Sequence, residues 1–296
     1  MPHPIIEKYK QFNHIINRSA LDDRVIDVLV EIYTLCQLEL AGKRRVALTT
    51  GNGITGKNYI SFEADGKYSR PCNIDIYTSG LATTPTGQNK VEVFFENARN
   101  RTISNQSADE ITDALYVISM GFCCSADFIG SGARKVCGTF FEKLIGYLYA
   151  RHLNDEPSKQ MDACELDGTT IKIPTDFIFN LGAGRPKFHV PVKTSTRDRC
   201  VQVWAQQRVL DGAYGVGRFL CLLTCIGETE LDKDHMRVDD VCVPNQWINY
   251  QLFIAQIKRA YYLDVPQRYD ELNRSFPRIH VKRFGAFFHE SDDLID

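Results

Sequence analysis

Two short segments near the middle of the chain carry side chains able to hold an ion and an anion between them. Asp176 interrupts the apolar run Ile173-Pro174-Thr175-Asp176-Phe177-Ile178-Phe179, and Lys193 follows 17 positions later in His189-Val190-Pro191-Val192-Lys193-Thr194-Ser195. Read as adjacent strands, the second puts Val190 and Val192 on one face and His189, Pro191 and Lys193 on the other. A carboxylate and an ammonium then share one end of a hairpin. An exposed pair of that kind stabilises little, but an acid inside an apolar strand needs a partner or a metal ion. Two further candidates flank the pair. Glu142 adjoins the apolar stripe of Phe141, Leu144, Ile145 and Leu148, where periodicity leans it toward solvent. Gln207 shares a helical face with Val203 and Leu210, so it should point inward more than an ordinary surface glutamine, although an amphipathic helix with a polar edge is a sufficient reading by itself.

Charge joins these candidates. The 296-residue chain has 35 Lys and Arg against 37 Asp and Glu, a net charge of −2, which at first sight argues against a nucleic-acid partner. Net charge does not say where charges sit. Between Leu181 and Leu210 stand the six bases Arg185, Lys187, Lys193, Arg197, Arg199 and Arg208 against one acid, Asp198. Such a stretch beside a carboxylate–lysine pair is what phosphodiester chemistry requires: bases hold backbone phosphates, and metal-bound carboxylates deliver the ions that charge the water and the leaving oxygen.

Other patterns are weaker. Gly51-Asn52-Gly53-Ile54-Thr55-Gly56-Lys57 contains two phosphate-loop spacings, but Asn58 stands where magnesium would need Ser or Thr, and a strand rather than a helix follows. A hairpin tip touching a DNA backbone is the better reading. Gly212, Gly215 and Gly217 follow a helix, which suits a phosphate loop still less. Of ten cysteines, Cys123, Cys124 and Cys137, or Cys221 and Cys225, come nearest to a metal pattern, yet none has zinc-finger spacing. They read as small buried apolar groups. With 44% apolar and 24% charged residues the chain is not globally disordered. No apolar run approaches the ~20 residues of a membrane span, and the N-terminus lacks a secretion-signal layout. A cytoplasmic protein away from membranes is expected.

The elements that must position these residues follow from periodicity and punctuation. A helix is expected over 19–36, capped by Ser19 and Asp22, then a β-rich stretch over 45–105 that includes Val91-Glu92-Val93-Phe94-Phe95 as a strand. The box Ser107-x-x-Glu110 opens a helix, Gly130 to Gly132 breaks it, and a second helix runs from Lys135. A polar turn occupies 154–168, and strands cover 169–180 and 187–195. A helix capped by Ser195 or Thr196 extends to about 211, Arg218 to Ile226 forms a central strand, and a last helix covers 246–262. The simplest organisation is a single α/β domain over 1–296. In it, 1–130 is a helical N-terminus with a β-rich insertion, 131–262 a core, and 263–296 a C-terminal extension.

Glu142 in a helix, Pro174-Thr175-Asp176 on a strand and Lys193 on the next strand resemble the PD-(D/E)xK nuclease core, best known in type II restriction endonucleases. The segment from Val192 through Thr194, Arg197 and Arg199, running on to Gln202, Trp204, Ala205, Gln207 and Asp211, is similar to bacterial restriction enzymes. The resemblance spans roughly residues 135–262. Two positions depart from the pattern: the motif's proline is two before Asp176, and Pro191 stands where an acid is expected. Some members resemble this and supply the missing group from the following helix, at positions taken here by Gln206 and Gln207; Glu228 or Glu230 could substitute.

The resemblance implies an α/β restriction-endonuclease-like core, with a central mixed sheet flanked by helices. It implies a Mg²⁺ cofactor on Asp176, with Glu142 as a further carboxylate. Lys193 would orient the attacking water and stabilise the pentavalent phosphate, and Gln207 would complete the set. The implied reaction is sequence-specific cleavage of double-stranded DNA leaving 5′-phosphates. A homodimer follows from the need to cut both strands of a two-fold site. The setting would be a bacterial restriction system with a cognate DNA methyltransferase. Arg185, Lys187, Thr194, Arg197, Arg199 and Arg208 are the expected DNA contacts, with base readout from 45–105 and phosphate contacts from Arg274 to Arg283. The competing readings are a repair or recombination nuclease of the same fold, a catalytically silent DNA-binding protein and, more distantly, a P-loop ATPase.

Overall fold

The computed structural model describes residues 3–51, 53–84, 87–130, 133–166 and 169–295. Its first half contains α1 Pro4–Ile16, α2 Arg24–Ala41, β1 Arg44–Thr50, β2 Tyr59–Ala64, β3 Lys67–Tyr68, β4 Cys72–Asn73, α3 Ile74–Leu81, α4 Lys90–Asn100, α5 Ala108–Ile129 and α6 Ala133–Leu153. There follow β5 Ser158–Leu166, β6 Thr169–Phe179, β7 Lys187–Val190, β8 Val192–Lys193, α7 Cys200–Tyr214, β9 Phe219–Cys225, β10 Thr229–Asp232, β11 Arg237–Asp240, α8 Pro244–Phe253, β12 Arg259–Tyr262, α9 Gln267–Asp270, β13 Val281–Arg283 and α10 Phe287–Glu290.

The main sheet runs β13-β12-β9-β7-β6-β5, with β8 also pairing β9. β9 is parallel to β7, β8 and β12, while β6 is antiparallel to β5 and β7, so the sheet is mixed. A continuous apolar strand is stable only when both faces are covered. β9 meets that condition, with α6 residues packed on one face and Trp204 and Trp247 of α7 and α8 on the other. A second sheet, β10-β11-β1-β2-β3 with β4 on β2, stands beside it. Beneath both lies α5, started by the expected box: Ser107 Oγ accepts from Glu110 N–H, and the Glu110 carboxylate accepts from Ser107 N–H. α5 is long and apolar enough to cross a membrane, but 89% of its most apolar window is buried as a core helix. The C-terminal extension packs onto it, with Gly285 against the Ala108 backbone and Arg283 paired to Asp109 (3.0 Å) and Asp113.

Several expectations are corrected. Val91 to Phe95 is helical, because Asn89 and Glu92 form a second capping box and Val91, Phe94, Phe95 and Ala98 are buried at helical spacing. The stretch 45–105 therefore holds two helices, Ile74–Leu81 and Lys90–Asn100, besides its strands. The helix expected over 246–262 ends at Phe253; Arg259–Tyr262 pairs with β9 instead, since a third strand beside β9 hides its edge. The turn expected over 154–168 holds β5, the edge partner of β6. Asn52, Ser131, Gly132, Asp167 and Gly168 lie outside the described residues. The first expected helix begins at Arg24 rather than near Ser19, whose hydroxyl bonds Glu156. Ser195 and Thr196 do not cap α7; their side chains bond Glu228. Lys57 is no phosphate ligand: it donates to Asp264 (2.5 Å) and the Val265 carbonyl (2.6 Å).

The approach of α6 to β6 depends on one residue without a side chain. A Cβ on Gly146 would collide with the ring of Phe177, the neighbour of Asp176. Alanine normally favours a helix interior by up to ~1 kcal/mol over glycine. Here Gly146→Ala is expected to destabilise instead, by about 1–3 kcal/mol, as measured by urea unfolding.

Candidate active site

Asp176 and Lys193 meet where the main sheet forks. β6 pairs with β7 through Phe177↔Val190, and there the pairing stops at Pro191. The Pro191 carbonyl accepts from Thr224 N–H at 2.9 Å, so the chain stays on β9 while it leaves β6. The freed Val192 N–H donates to Asp176 Oδ2 at 2.8 Å, and Lys193 Nζ reaches the same oxygen at 2.6 Å. The acid inside the apolar strand thus has a physical reason: its carboxylate takes over a bond that the parted strand can no longer make. Both side chains remain about a quarter exposed, so the pair opens to solvent. Alternation behaves as expected, with Val190 and Val192 in the core under α6 and His189 on the other face.

Glu142 stands elsewhere. Its carboxylate pairs with Lys159 of β5 at 3.1 Å, and Lys159 Nζ lies 5.0 Å from the centre of the Phe177 ring. Consecutive strand residues leave opposite faces, so Glu142, one turn before Gly146, belongs to the Phe177 side rather than the Asp176 side. Gln207 is buried, as its face predicted, but its amide is fully engaged. Oε1 faces His189 Nδ1 at 3.1 Å, while Nε2 donates to Asp211 Oδ1 and to the Phe219 carbonyl, both at 2.9 Å. Gln206 donates to the Pro174 carbonyl at 3.1 Å.

The six bases do not form one surface. Lys187 pairs in register with Phe219 at the start of β9, and Lys193 with Cys225 at its end, some ~20 Å away at ~3.3 Å per residue. At the Phe219 end Lys187 Nζ lies 5.7 Å over that ring, Arg185 precedes it in the loop before β7, and Arg208 follows Gln207, whose Nε2 donates to the Phe219 carbonyl. Arg197 and Arg199 stand with Thr194 and Lys193 at the other end. Arg197 has a φ of 39° and pairs with Glu230. In the expected basic segment 274–283, Lys282 pairs with Glu290, and Arg283 with two aspartates, so these two serve the fold.

Glu228, a candidate substitute ligand, is 2% exposed and filled with protein donors. Burial pushes its carboxyl up, against the hydrogen bonds from Ser195, Thr196 and Tyr262 that pull it down. Among the described residues, no three His, Cys, Asp or Glu side chains converge on a point. Among the described residues Asp176 Oδ1 takes no hydrogen bond, both of the carboxylate's partners being on Oδ2. Magnesium suits such a corner, because it is commonly held by one or two carboxylates and completed by waters and substrate phosphates.

Sequence reasoning missed His189. It is fully buried, and burial pushes its imidazole down to about 4. With Gln207 Nε2 donating twice, Nδ1 must carry the proton for Oε1, and a second proton on Nε2 would have no acceptor among the described residues. Its contribution to stability is therefore complete above the ordinary histidine value near 6.5 and is lost as pH falls toward 4. The loss should reach about 3 kcal/mol below that point. Urea unfolding at pH 7 and pH 4 is expected to show that loss in the native protein and a smaller one in His189→Gln.

No family model matches the chain, and no curated protein matches it. Among solved structures, the Type IIP restriction endonuclease Kpn2I superposes with a TM-score of 0.79, covering 98% of this chain and 97% of that one at 24% identity. The restriction endonuclease PspGI bound to substrate DNA gives a TM-score of 0.43 over 75% of this chain and 87% of that one, at 15% identity. The mixed sheet, its fork and the near-complete superposition on Kpn2I together identify the chain as having the restriction-endonuclease fold.

Proposed function

We propose that this protein is a sequence-specific endonuclease of double-stranded DNA that hydrolyses phosphodiesters with magnesium and leaves 5′-phosphates. It would work as a homodimer in a bacterial restriction system, alongside a methyltransferase that protects the host's own sites. The observation that carries this reading is the Asp176 carboxylate bonded to Lys193 at an open sheet fork, in a chain that superposes end to end on a restriction endonuclease.

The division of labour follows from the chemistry of each group. Asp176 Oδ1 would hold the ion, with substrate oxygens completing its shell. The ion, when bound, lowers the pKa of a water and offsets charge on the leaving oxygen. Lys193, a compact ammonium with three donors, would orient the attacking water and offset the charge that builds on phosphorus-bound oxygens. Glu142 would act through Lys159 rather than as a ligand beside Asp176. Thr194, Arg197 and Arg199 would meet the duplex next to the cut, whereas Arg185, Lys187 and Arg208 would reach phosphates only toward the far end of β9. Pro191 at the acid position and the engaged Gln207 amide favour one alternative, a DNA-binding protein without cleavage.

Incubation of long duplex DNA with the protein and Mg²⁺ is expected to give discrete fragments that disappear with EDTA. A smear, or cutting only at ends and flaps, would support a repair nuclease; tight binding without cleavage under Mg²⁺ or Mn²⁺ would support the silent reading. Asp176→Ala and Lys193→Ala should each lower the cleavage rate by at least about a hundredfold while DNA binding persists. Gln207→Glu should cost about 1–3 kcal/mol of stability through its lost donors. It should leave the Mg²⁺ concentration for half-maximal cleavage unchanged. A shift in that midpoint would put Gln207 at the metal after all.

A further inference from the structure

Directly after Lys193 the chain is held by a single buried carboxylate. Glu228 Oε1 accepts from Thr196 N–H (2.9 Å), Thr196 Oγ1 (2.7 Å) and the Tyr262 hydroxyl (2.8 Å). Oε2 accepts from Ser195 Oγ (2.6 Å) and from the amides of Thr196 (3.0 Å) and Arg197 (3.3 Å). The arrangement closes on itself. Lys193 is in register with Cys225, Cys225 with Tyr262, and Tyr262 returns through Glu228 to the residues that follow Lys193. Gly227 N–H adds a bond to the Thr194 carbonyl at 3.3 Å.

We propose that Glu228 is the positioning residue of this site: its buried carboxylate fixes the backbone of residues 195–197, and so sets where Arg197 and Arg199 meet a duplex. The inference rests on the nuclease reading above. A carboxylate offers about four acceptor sites, and six donor contacts saturate them, which takes Glu228 out of contention as a metal ligand. Packing alone would not select it, since a buried acid is costly unless its partners require it. Those partners are the backbone amides of a segment whose Arg197 sits in the left-handed region, at a φ of 39°. A non-glycine residue stays there only when its surroundings over-determine it. The Arg197 guanidinium is occupied by Glu230, a carboxylate about half exposed, which a phosphate or a base edge can replace. The backbone is thus clamped while the guanidinium remains exchangeable, as a readout group requires.

The test has two arms. In the free protein, amide hydrogen exchange is expected to quicken at least about tenfold at Thr196 and Arg197 in Glu228→Ala, with β9 unchanged. In Glu228→Gln, which keeps one acceptor oxygen but turns the other into an amide donor, the increase should be measurable and smaller than in Glu228→Ala. With long duplex DNA and Mg²⁺, Glu228→Gln and Tyr262→Phe are expected to keep the wild-type fragments and kcat but to raise KM about fivefold or more. Glu228→Ala should cut extra sites. Unchanged exchange at 196–197 in Glu228→Ala overturns the clamp. If that variant does not fold, an unchanged KM in both conservative variants overturns it. A wild-type protein that yields no discrete fragments overturns the sequence-specific nuclease reading and the DNA half of this inference. Exchange in the same samples still decides the clamp, so the two failures are distinguishable.

Discussion

The structure turns on the point where β6 and the strand after β7 part. Past Val190 the chain keeps its bonds to β9, with the Pro191 carbonyl accepting from Thr224 N–H, and no longer pairs with β6. A parted strand exposes a backbone donor, Val192 N–H, and an unpaired donor near the core is costly. Asp176 removes the cost with a side-chain oxygen, and its negative charge then draws Lys193 into place. Carboxylate, ammonium and an opening in the sheet therefore arise from the same event.

Around this point the chain spends buried carboxylates to join layers that would otherwise touch only through apolar contact. Asp264, at the end of β12, accepts from Lys57 (2.5 Å), Tyr59 (2.7 Å) and Asn73 (3.2 Å), tying the small sheet to the large one. Asp113 in α5 takes Lys90 (2.7 Å) and Arg283, tying the N-terminal helices to the C-terminal extension. Glu228 ties the segment after Lys193 to β12. A buried charge pair stabilises little by itself, but breaking one is severe, so such joints specify an arrangement more than they strengthen it. Lys57 illustrates the point. Its glycine-rich loop invites a phosphate reading, and its ammonium is already satisfied by the protein.

Charge along the sequence also means something different once folded. Six bases in thirty residues look like one patch, yet Lys187 and Lys193 pair at opposite ends of β9, with Arg197 and Arg199 following Lys193. Proximity in sequence implies proximity in space within a helix turn or a tight hairpin, but not along an extended strand, which advances ~3.3 Å per residue.

The sequence by itself determined the α/β class, α5 with its Ser107–Glu110 cap, the hairpin of β6 with β7, the central place of β9, and the meeting of Asp176 with Lys193. Each depends on short-range rules: capping, periodicity of 2 or 3.6, turn chemistry, and the cost of an acid in an apolar strand. Only the tertiary structure decided that Val91 to Phe95 is helical, that Arg259–Tyr262 is a strand, that Glu142 belongs with Lys159, and that Gln207 serves His189. It also separated Glu228 the clamp from Glu228 the candidate ligand. Those outcomes rest on partners far away in sequence, because a buried polar group takes whichever donor the fold delivers, and local pattern does not record which one arrives.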